Sequence, residues 1–513
     1  MTNTSLYQIN TRAFCHKHNK TLLEIPMSYF ENLKDLGIEY IWLMGLWEPL
    51  LQTYIDKYCK TDGLLKEYKS ALFDVESKDI IGSPYAISNY VLNKSLGDRE
   101  DLKILKQKLN DIGLKLIVDF VPNHFGASTP LLKTHEEVFL QCRKEDFDRD
   151  GITFFEPDNN KGKYFAHGKD PNYVAWQDTV QVNYFNDNAR KFMKDILKGL
   201  CLVADGVRCD MAMLAVNKVF KKTWGEVLKA QNIKTLSGEF WQEAIAEVKK
   251  ESPSFIFIAE VYWDMEWEMQ QLGFDYTYDK RLLDRITHSN ANDIRDHLKA
   301  QISYQKKLVR FIENHDEKRS IASLGKEKAK MGAIIISTIL GMRFYYDGQF
   351  EGAPIRLPVQ LRREPIFNED ADIKSFYLKL LKIVNNDVFK KGTWRLLDVE
   401  KGMDDLSQNN ILAWSLEYLE YSKEINKENH KENHKEYNKE DNKEKRIVVV
   451  NFSEYESSAH IKFNFDRFNF ERDKNYVLED LLNDVKYERT GSELADFGLF
   501  VKLSKYSAHI FKF

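Results

Sequence analysis

The sequence predicts an α/β protein: a (β/α)8 TIM barrel with an inserted loop domain after strand 3 and a C-terminal all-β sandwich domain. Three observations predict it. Short strand-like runs alternate with amphipathic helical stretches as far as residue 385, and eight such units close a parallel barrel. The stretch between the third and fourth runs is too long for an ordinary connection. Beyond residue 386, apolar spacing of three and four residues gives way to period-two alternation.

The strand candidates, in order, are Leu6–Asn10, Tyr40–Met44, Lys115–Phe120, Gly206–Asp210, Phe255–Glu260, Phe274–Tyr278, Val309–Asn314 and Arg343–Tyr346. Between them, Arg99 to Ile112, Asn188 to Leu200, Glu239 to Lys250 and Ile373 to Ile383 carry apolar residues at helical intervals. Phe125 to Val182 is rich in Gly, Asp and aromatic residues, with turns marked by Glu156-Pro157-Asp158 and Gly168-Lys169-Asp170-Pro171. Met211 to Ser254, after the fourth strand, has room for an extra helix. The expected division is a barrel over 1–124 and 183–385, an insertion over 125–182 and a β domain over 386–513. In the β domain, Asn410–Leu416, Arg446–Phe452, His460–Phe465 and His509–Phe513 read as strands. Between the first two lies a charged low-complexity loop, 423–446, built on the repeats KENH, KENH, KEYN, KEDN and KEKR. Its charges nearly cancel and it has nothing apolar to bury. His430 and His434 fall inside this repeat and are read as its product, not as metal ligands.

Composition sets the outer bounds. Charged residues at 30% and hydrophobic residues at 43% are ordinary for a soluble globular chain of 513 residues. Lys+Arg 75 against Asp+Glu 79 leaves a net charge of -4, with no electrostatic footprint for nucleic acid or an anionic membrane. Aromatic residues at 13% supply core rings and also flat platforms for sugars. Cys15, Cys59, Cys142, Cys201 and Cys209 are scattered without a CxxC pair, which argues against a disulfide framework and a zinc site. The first residues lack a basic segment followed by an apolar run, and the longest apolar run, Met331 to Met342, is too short for a bilayer, so the expected location is the cytoplasm. The sequence sets no oligomeric state.

Active sites in such barrels gather at the C-terminal ends of the strands. Here the third strand runs into Asp119-Phe120-Val121-Pro122-Asn123-His124, the fourth ends Arg208-Cys209-Asp210, the fifth ends Ala259-Glu260 and the seventh ends Asn314-His315-Asp316. A single Asp or His at a strand end is usually a cap or an ion pair. Four such ends on one rim make a site. Side chains alternate along a strand, so Arg208 and Asp210 point the same way, and the guanidinium should lower the Asp210 pKa and keep the group ionised. Glu260 follows the apolar run Phe255–Ala259, where burial should raise its pKa. A glycosidic oxygen leaves readily only when protonated, so this contrast makes Asp210 the nucleophile and Glu260 the acid.

These residues resemble the signature regions of the α-amylase family, glycoside hydrolase family 13. DxxPNH is matched by Asp119 to His124, GxRxD by Gly206 to Asp210, an acidic strand end by Glu260 and NHD by Asn314 to Asp316. The resemblance implies a retaining enzyme acting on α-glucans, maltooligosaccharides or starch and glycogen, with no cofactor needed for the chemistry. By this resemblance Asp210 is the nucleophile, Glu260 the acid/base and Asp316 the third carboxylate, which holds sugar hydroxyls. His124, Arg208 and His315 would line the attacked sugar's subsite, with Tyr85 of Gly82-Ser83-Pro84-Tyr85 stacked beneath it. Asn123 resembles the family's calcium ligand.

Two departures bear on specificity. Many α-amylases carry a Lys-His pair just after the nucleophile, facing the acceptor sugar, where this chain has Met211-Ala212-Met213. Oligo-1,6-glucosidase-like members have YDISDY where this chain has Tyr85-Ala86-Ile87-Ser88-Asn89-Tyr90, and Ala86 cannot clamp a sugar end as their Asp does. A transglycosylase with the same residues is the near alternative, since only the acceptor differs. A non-catalytic binding subunit is disfavoured by the retained carboxylates. Metal hydrolysis is disfavoured too: no HExxH occurs, and the one HxH, His16-Lys17-His18, lies in a Lys- and Asn-rich stretch.

Overall fold

Eight parallel strands close on themselves in the computed structural model, which describes residues 3–403, 406–419, 443–464, 468 and 470–513. They are β1 (Ser5–Asn10), β2 (Tyr40–Met44), β3 (Lys115–Phe120), β4 (Gly206–Cys209), β5 (Ile256–Ala259), β6 (Tyr276–Tyr278), β7 (Leu308–Arg310) and β8 (Met342–Tyr346). Each pairs with its sequence neighbours, and β1 pairs with β8 to close the ring. Strand alternation divides the side chains between two cores. Leu6, Trp42, Ile117, Ile258, Tyr278, Val309 and Phe344 fill the barrel interior. Ile9, Ile41, Leu43, Val118, Val207 and Phe257 pack outward against the helices. Each large apolar side chain buried this way contributes roughly 1.5–3 kcal/mol relative to exposure.

The expected strands match closely except the seventh. Leu308–Arg310 ends four residues short of the expected Asn314, and beyond it the Asn314 side chain accepts the backbone N–H groups of Asp316 and Glu317, both at 2.9 Å, and turns the chain. That turn lifts His315 and Asp316 onto the rim. After β3, the short strand His124–Gly126 pairs antiparallel with Thr179–Gln181. Between these two strands lies a small sheet of Gln141–Cys142, Tyr164–Ala166 and Phe154–Phe155. After β4 come two helices: Phe240–Glu251, which matches the expected Glu239–Lys250, and Asn217–Ala230, the expected extra helix.

The C-terminal part is all-β. A sheet of six strands, in the order Thr393–Leu396, Ile411–Leu419, Lys443–Asn451, Ala508–Lys512, Asn475–Asp480, Val485–Thr490, faces a sheet of three, Asp398–Lys401, Ser457–Lys462 and Leu499–Leu503. Ile411, Ala413, Ile447 and Val449 of the larger sheet share a core with Ala459, Ile461, Leu499 and Val501 of the smaller. The opposite face of the larger sheet, including Leu412, Trp414, Val448 and Val450, joins the barrel's outer core. Residues 443–446, expected in the charged loop, form the start of strand Lys443–Asn451, where they pair with 416–419. The rest of that loop, 423–442, including His430 and His434, lies outside the described residues. Among the described residues no helix is long and apolar enough to cross a membrane.

Candidate active site

Arg208 organises the rim. It projects from β4 into the barrel, fully buried, with Nη1 2.7 Å from Asp210 Oδ1 and Nη2 2.8 Å from Glu260 Oε1. Asp119 at the end of β3 lies 3.8 Å from the same Nη1. The rings of Trp42, Tyr85 and Tyr278 surround the guanidinium, their centroids 5.1, 5.1 and 5.7 Å away. One cation thus joins strand ends that alternation alone had only placed on the same side.

The third carboxylate approaches from β7. Asp316 Oδ2 lies 2.9 Å from His315 Nε2, and its side chain is 44% exposed, the most open of the three. His315 Nε2 is also 2.8 Å from the Tyr85 hydroxyl, and its ring packs edge-on against Trp42. His124 is buried beside Trp176, in contact with the Tyr85 backbone, and burial pushes its pKa down to about 3. The structure therefore brings together Tyr85, His124, Arg208, Asp210, Glu260, His315 and Asp316. A cavity of about 630 Å³ lined by Phe14, Tyr29, Asp347, Leu357 and Phe367 sits elsewhere on the rim and holds none of them. The location of the site rests on its chemistry, not on cavity depth.

The electrostatics depart from expectation at Asp210. Burial raises its pKa, with Asp316 adding to the rise, and Arg208, which opposes this, does not prevail. Burial likewise raises Glu260, to about 7, with Arg208 opposing and Asp210 and Asp316 adding to the rise. Asp316 is the carboxyl held low. Burial works to raise it, but His315, by its charge when doubly protonated and by its hydrogen bond, and then Arg208 and Arg356, outweigh that and hold it below the usual carboxylate range. The expected contrast between an ionised Asp210 and a neutral Glu260 is therefore muted, and the sharp contrast is between Glu260 and Asp316.

Several contacts were not visible in the sequence. Glu260 Oε2 accepts the Met211 backbone N–H at 2.7 Å, and Glu260 Oε1 accepts the Tyr262 hydroxyl at 3.0 Å. Met211 makes its bond from a left-handed conformation, φ 42°, which costs a non-glycine residue roughly 1–2 kcal/mol. Ala212 and Met213 are fully buried, so the segment that replaces the Lys-His pair faces the core. Gln8 of β1 contacts His315 Nδ1 at 2.8 Å.

Asn123 is placed apart from this cluster. Its Oδ1 accepts from Gln181 Nε2 at 3.0 Å, and the same amide nitrogen lies 2.9 Å from Asn123 O and 3.0 Å from Val182 O. A hard cation takes six to eight oxygens, usually with carboxylates among them. Here the oxygens face an amide donor, and among the described residues no group of three or more His, Cys, Asp and Glu side chains is arranged to hold a metal. The residues at Asn123 do not fit calcium.

Carboxylates converging with histidine and arginine at the C-terminal rim of a parallel barrel define an acid–base site of the kind glycosidases use. The chain belongs to the alpha-amylase family: the family model for the alpha amylase catalytic domain matches residues 27–439. Alpha-amylase MalA of Haloarcula japonica is 22% identical over 352 residues, covering 67% of this chain and 43% of that protein. An alpha-1,4-glucan:maltose-1-phosphate maltosyltransferase of Picrophilus torridus is 20% identical over 449 residues, 81% of this chain and 58% of that protein. The chain thus spans about half the length of these curated relatives. In fold it is similar to a noncanonic maltogenic alpha-amylase, AmyB, of Thermotoga neapolitana, with a TM-score of 0.66 at 19% identity, covering 100% of this chain and 98% of that one.

Proposed function

We propose that this protein is a retaining glycoside hydrolase acting on α-glucosidic bonds of maltooligosaccharides or starch- and glycogen-type glucans. The observation that carries the reading is the pair of buried carboxylates held on one guanidinium, Asp210 on Nη1 and Glu260 on Nη2. Two carboxyl groups on a single planar cation are close neighbours, as a double displacement needs, where about 5–5.5 Å separates nucleophile and acid/base. Glu260, raised to about 7, holds a proton at neutral pH and gives it to the glycosidic oxygen as the bond breaks. Asp210 attacks the anomeric carbon from the other side, forming a glycosyl ester. Glu260, now ionised, takes a proton from the water that hydrolyses this ester. Asp316, His315 and His124 hold the sugar's hydroxyls, and Tyr85 stacks beneath its ring.

Transfer to a second sugar uses the same first half-reaction, and a relative named as a maltosyltransferase supports keeping it as the alternative. One experiment separates the readings: the products of maltooligosaccharide cleavage, followed by NMR with and without an added sugar acceptor. Shorter products with retained α-configuration are expected. Longer products would favour transfer, and inverted anomers would remove the double displacement. Asp210→Asn is expected to lower kcat by at least about 10⁴-fold with the fold intact by circular dichroism, a loss typical of removing a covalent nucleophile.

A further inference from the structure

Gln8 lies fully buried on β1, beside Trp42 of β2 and Tyr346 of β8 in the strand register, with its side chain inside the barrel beneath His315. One end of its amide touches two acceptor-capable atoms: His315 Nδ1 at 2.8 Å and Met44 Sδ at 3.2 Å. A thioether sulfur accepts weakly and never donates, so the amide end facing it is the NH2 group. That group has two hydrogens, one for the sulfur and one for the ring nitrogen. His315 Nδ1 must then be an unprotonated acceptor. Turning the amide over would set its oxygen against the sulfur, two acceptors face to face in a buried place. The other end, Oε1, is buried without a partner among the described residues, a cost the arrangement bears.

We propose that Gln8 is a positioning residue for the reaction: it fixes the single ring proton of His315 on Nε2, aimed at the rim. On that side Nε2 reaches two oxygens, the Tyr85 hydroxyl at 2.8 Å and Asp316 Oδ2 at 2.9 Å. An N–H there must donate, so the Tyr85 oxygen serves as its acceptor and keeps its own proton for another partner. Asp316, half open to solvent, can turn to an arriving sugar, and the Nε2–H then passes to a hydroxyl of that sugar. The opposite tautomer would present a lone pair to the carboxylate of Asp316, acceptor against acceptor, and would offer the sugar no donor. Asp316 favours the same tautomer from the Nε2 side; on the Nδ1 side, among the described residues, Trp42 does not compete with Gln8, since it meets the ring edge-on and its indole N–H is spent on Asp119 Oδ1 at 3.2 Å.

The test reads the proton directly. In protein labelled with [15N]histidine, the two ring nitrogens are distinguished by 15N shift, and His315→Asn identifies the signals that belong to His315. The wild-type protein is expected to show an unprotonated Nδ1 and a proton on Nε2 at neutral pH. Gln8→Glu puts an acceptor-only group opposite Nδ1 and is expected to move a proton onto that nitrogen. Gln8→Leu removes the choice, and a mixture of tautomers is expected. Both variants should lose about tenfold or more in kcat/KM, the scale of one misdirected hydrogen bond at a reacting group. A wild-type spectrum with the proton on Nδ1, or an unchanged Nε2 tautomer in both variants, would overturn the proposal. If one variant fails to fold, the spectrum of the other decides, and a wild-type proton on Nδ1 overturns the proposal without either. The kinetic consequence rests on the reading of this rim as the sugar site. The spectrum does not, so a failed product assay and a failed tautomer assignment remain distinguishable.

Discussion

Glu260 accepts hydrogen bonds from the Met211 amide and the Tyr262 hydroxyl, contacts the Arg208 guanidinium, and still sits near 7 because burial outweighs all three. Two consequences follow, and both run downward as pH rises. As the proposed acid it must be protonated, so kcat/KM is expected to fall as pH rises through about 7. Its raised folded value, against an ordinary 4.5, also gives stability that is full below about 4.5 and lost as pH climbs through about 7. The Tyr262 hydroxyl donates to the charged form, so Tyr262→Phe is expected to move the basic limb upward by up to about one pH unit. A pH profile of kcat/KM for both proteins checks this, and a limb that moves down would contradict the assignment. At this scale the sequence was legible where chemistry is local. Strand period put Arg208 and Asp210 on one side, and the apolar run before Glu260 announced its burial. Gln8, Trp42 and Tyr278 were illegible because the barrel brings them to Arg208 and His315 from strands far apart in the chain, and no local pattern carries that distance.

Elements near the site are shaped by how closely backbones approach. In the strand His124–Gly126, a β-carbon added at Gly126 would meet the Ala86 carbonyl oxygen at 2.9 Å and Leu50 Cδ2 at 2.5 Å. Ala86 follows Tyr85, so the missing side chain at residue 126 lets the Tyr85 ring sit beside Arg208 and His315. Gly126→Ala is expected to displace Tyr85 and cost about 10²-fold in kcat/KM, as misplacements near 1 Å do. Gly225, inside helix Asn217–Ala230 with open space around it, supplies the control: Gly225→Ala should leave kcat/KM unchanged and add roughly 0.5–1 kcal/mol of stability. Steady-state kinetics beside urea unfolding separates the two, and equal kinetic behaviour would refute the argument from close approach. Apolar periodicity located the barrel strands well. It overextended the seventh, since Phe311 and Ile312 are as buried as strand residues while the Asn314 side chain has begun a turn. Burial and strand pairing part company there, and only the former is written in apolar spacing.

Across the whole molecule, the change from helical spacing to period-two alternation marked where the barrel gives way to the β part. Alternation alone did not foretell that the larger sheet is buried on both faces, one against the smaller sheet and one against the barrel's outer core. At the join between barrel and insertion, Asn123 matches a calcium-binding pattern in the sequence, while in the structure its oxygen is already engaged. Gln181, on the strand that returns from the insertion, directs its amide nitrogen at Asn123 Oδ1, Asn123 O and Val182 O, a neutral donor among oxygens where a cation was expected. An ion that bound only the folded chain would add about 2.7 kcal/mol at a hundredfold excess over its Kd. A join made by an amide gains nothing from calcium and loses nothing to a chelator. The melting temperature is therefore expected to agree within about 1 °C in EDTA and in millimolar calcium, where an ion of that affinity would separate them by about 2–3 °C. Gln181→Glu reverses the logic: it sets a carboxylate against three acceptors, so the variant should melt lower than wild type in EDTA and recover part of the loss when calcium is added. A wild-type protein that melts about 2–3 °C lower in EDTA would mean that a cation, and not Gln181, secures the insertion to the third strand.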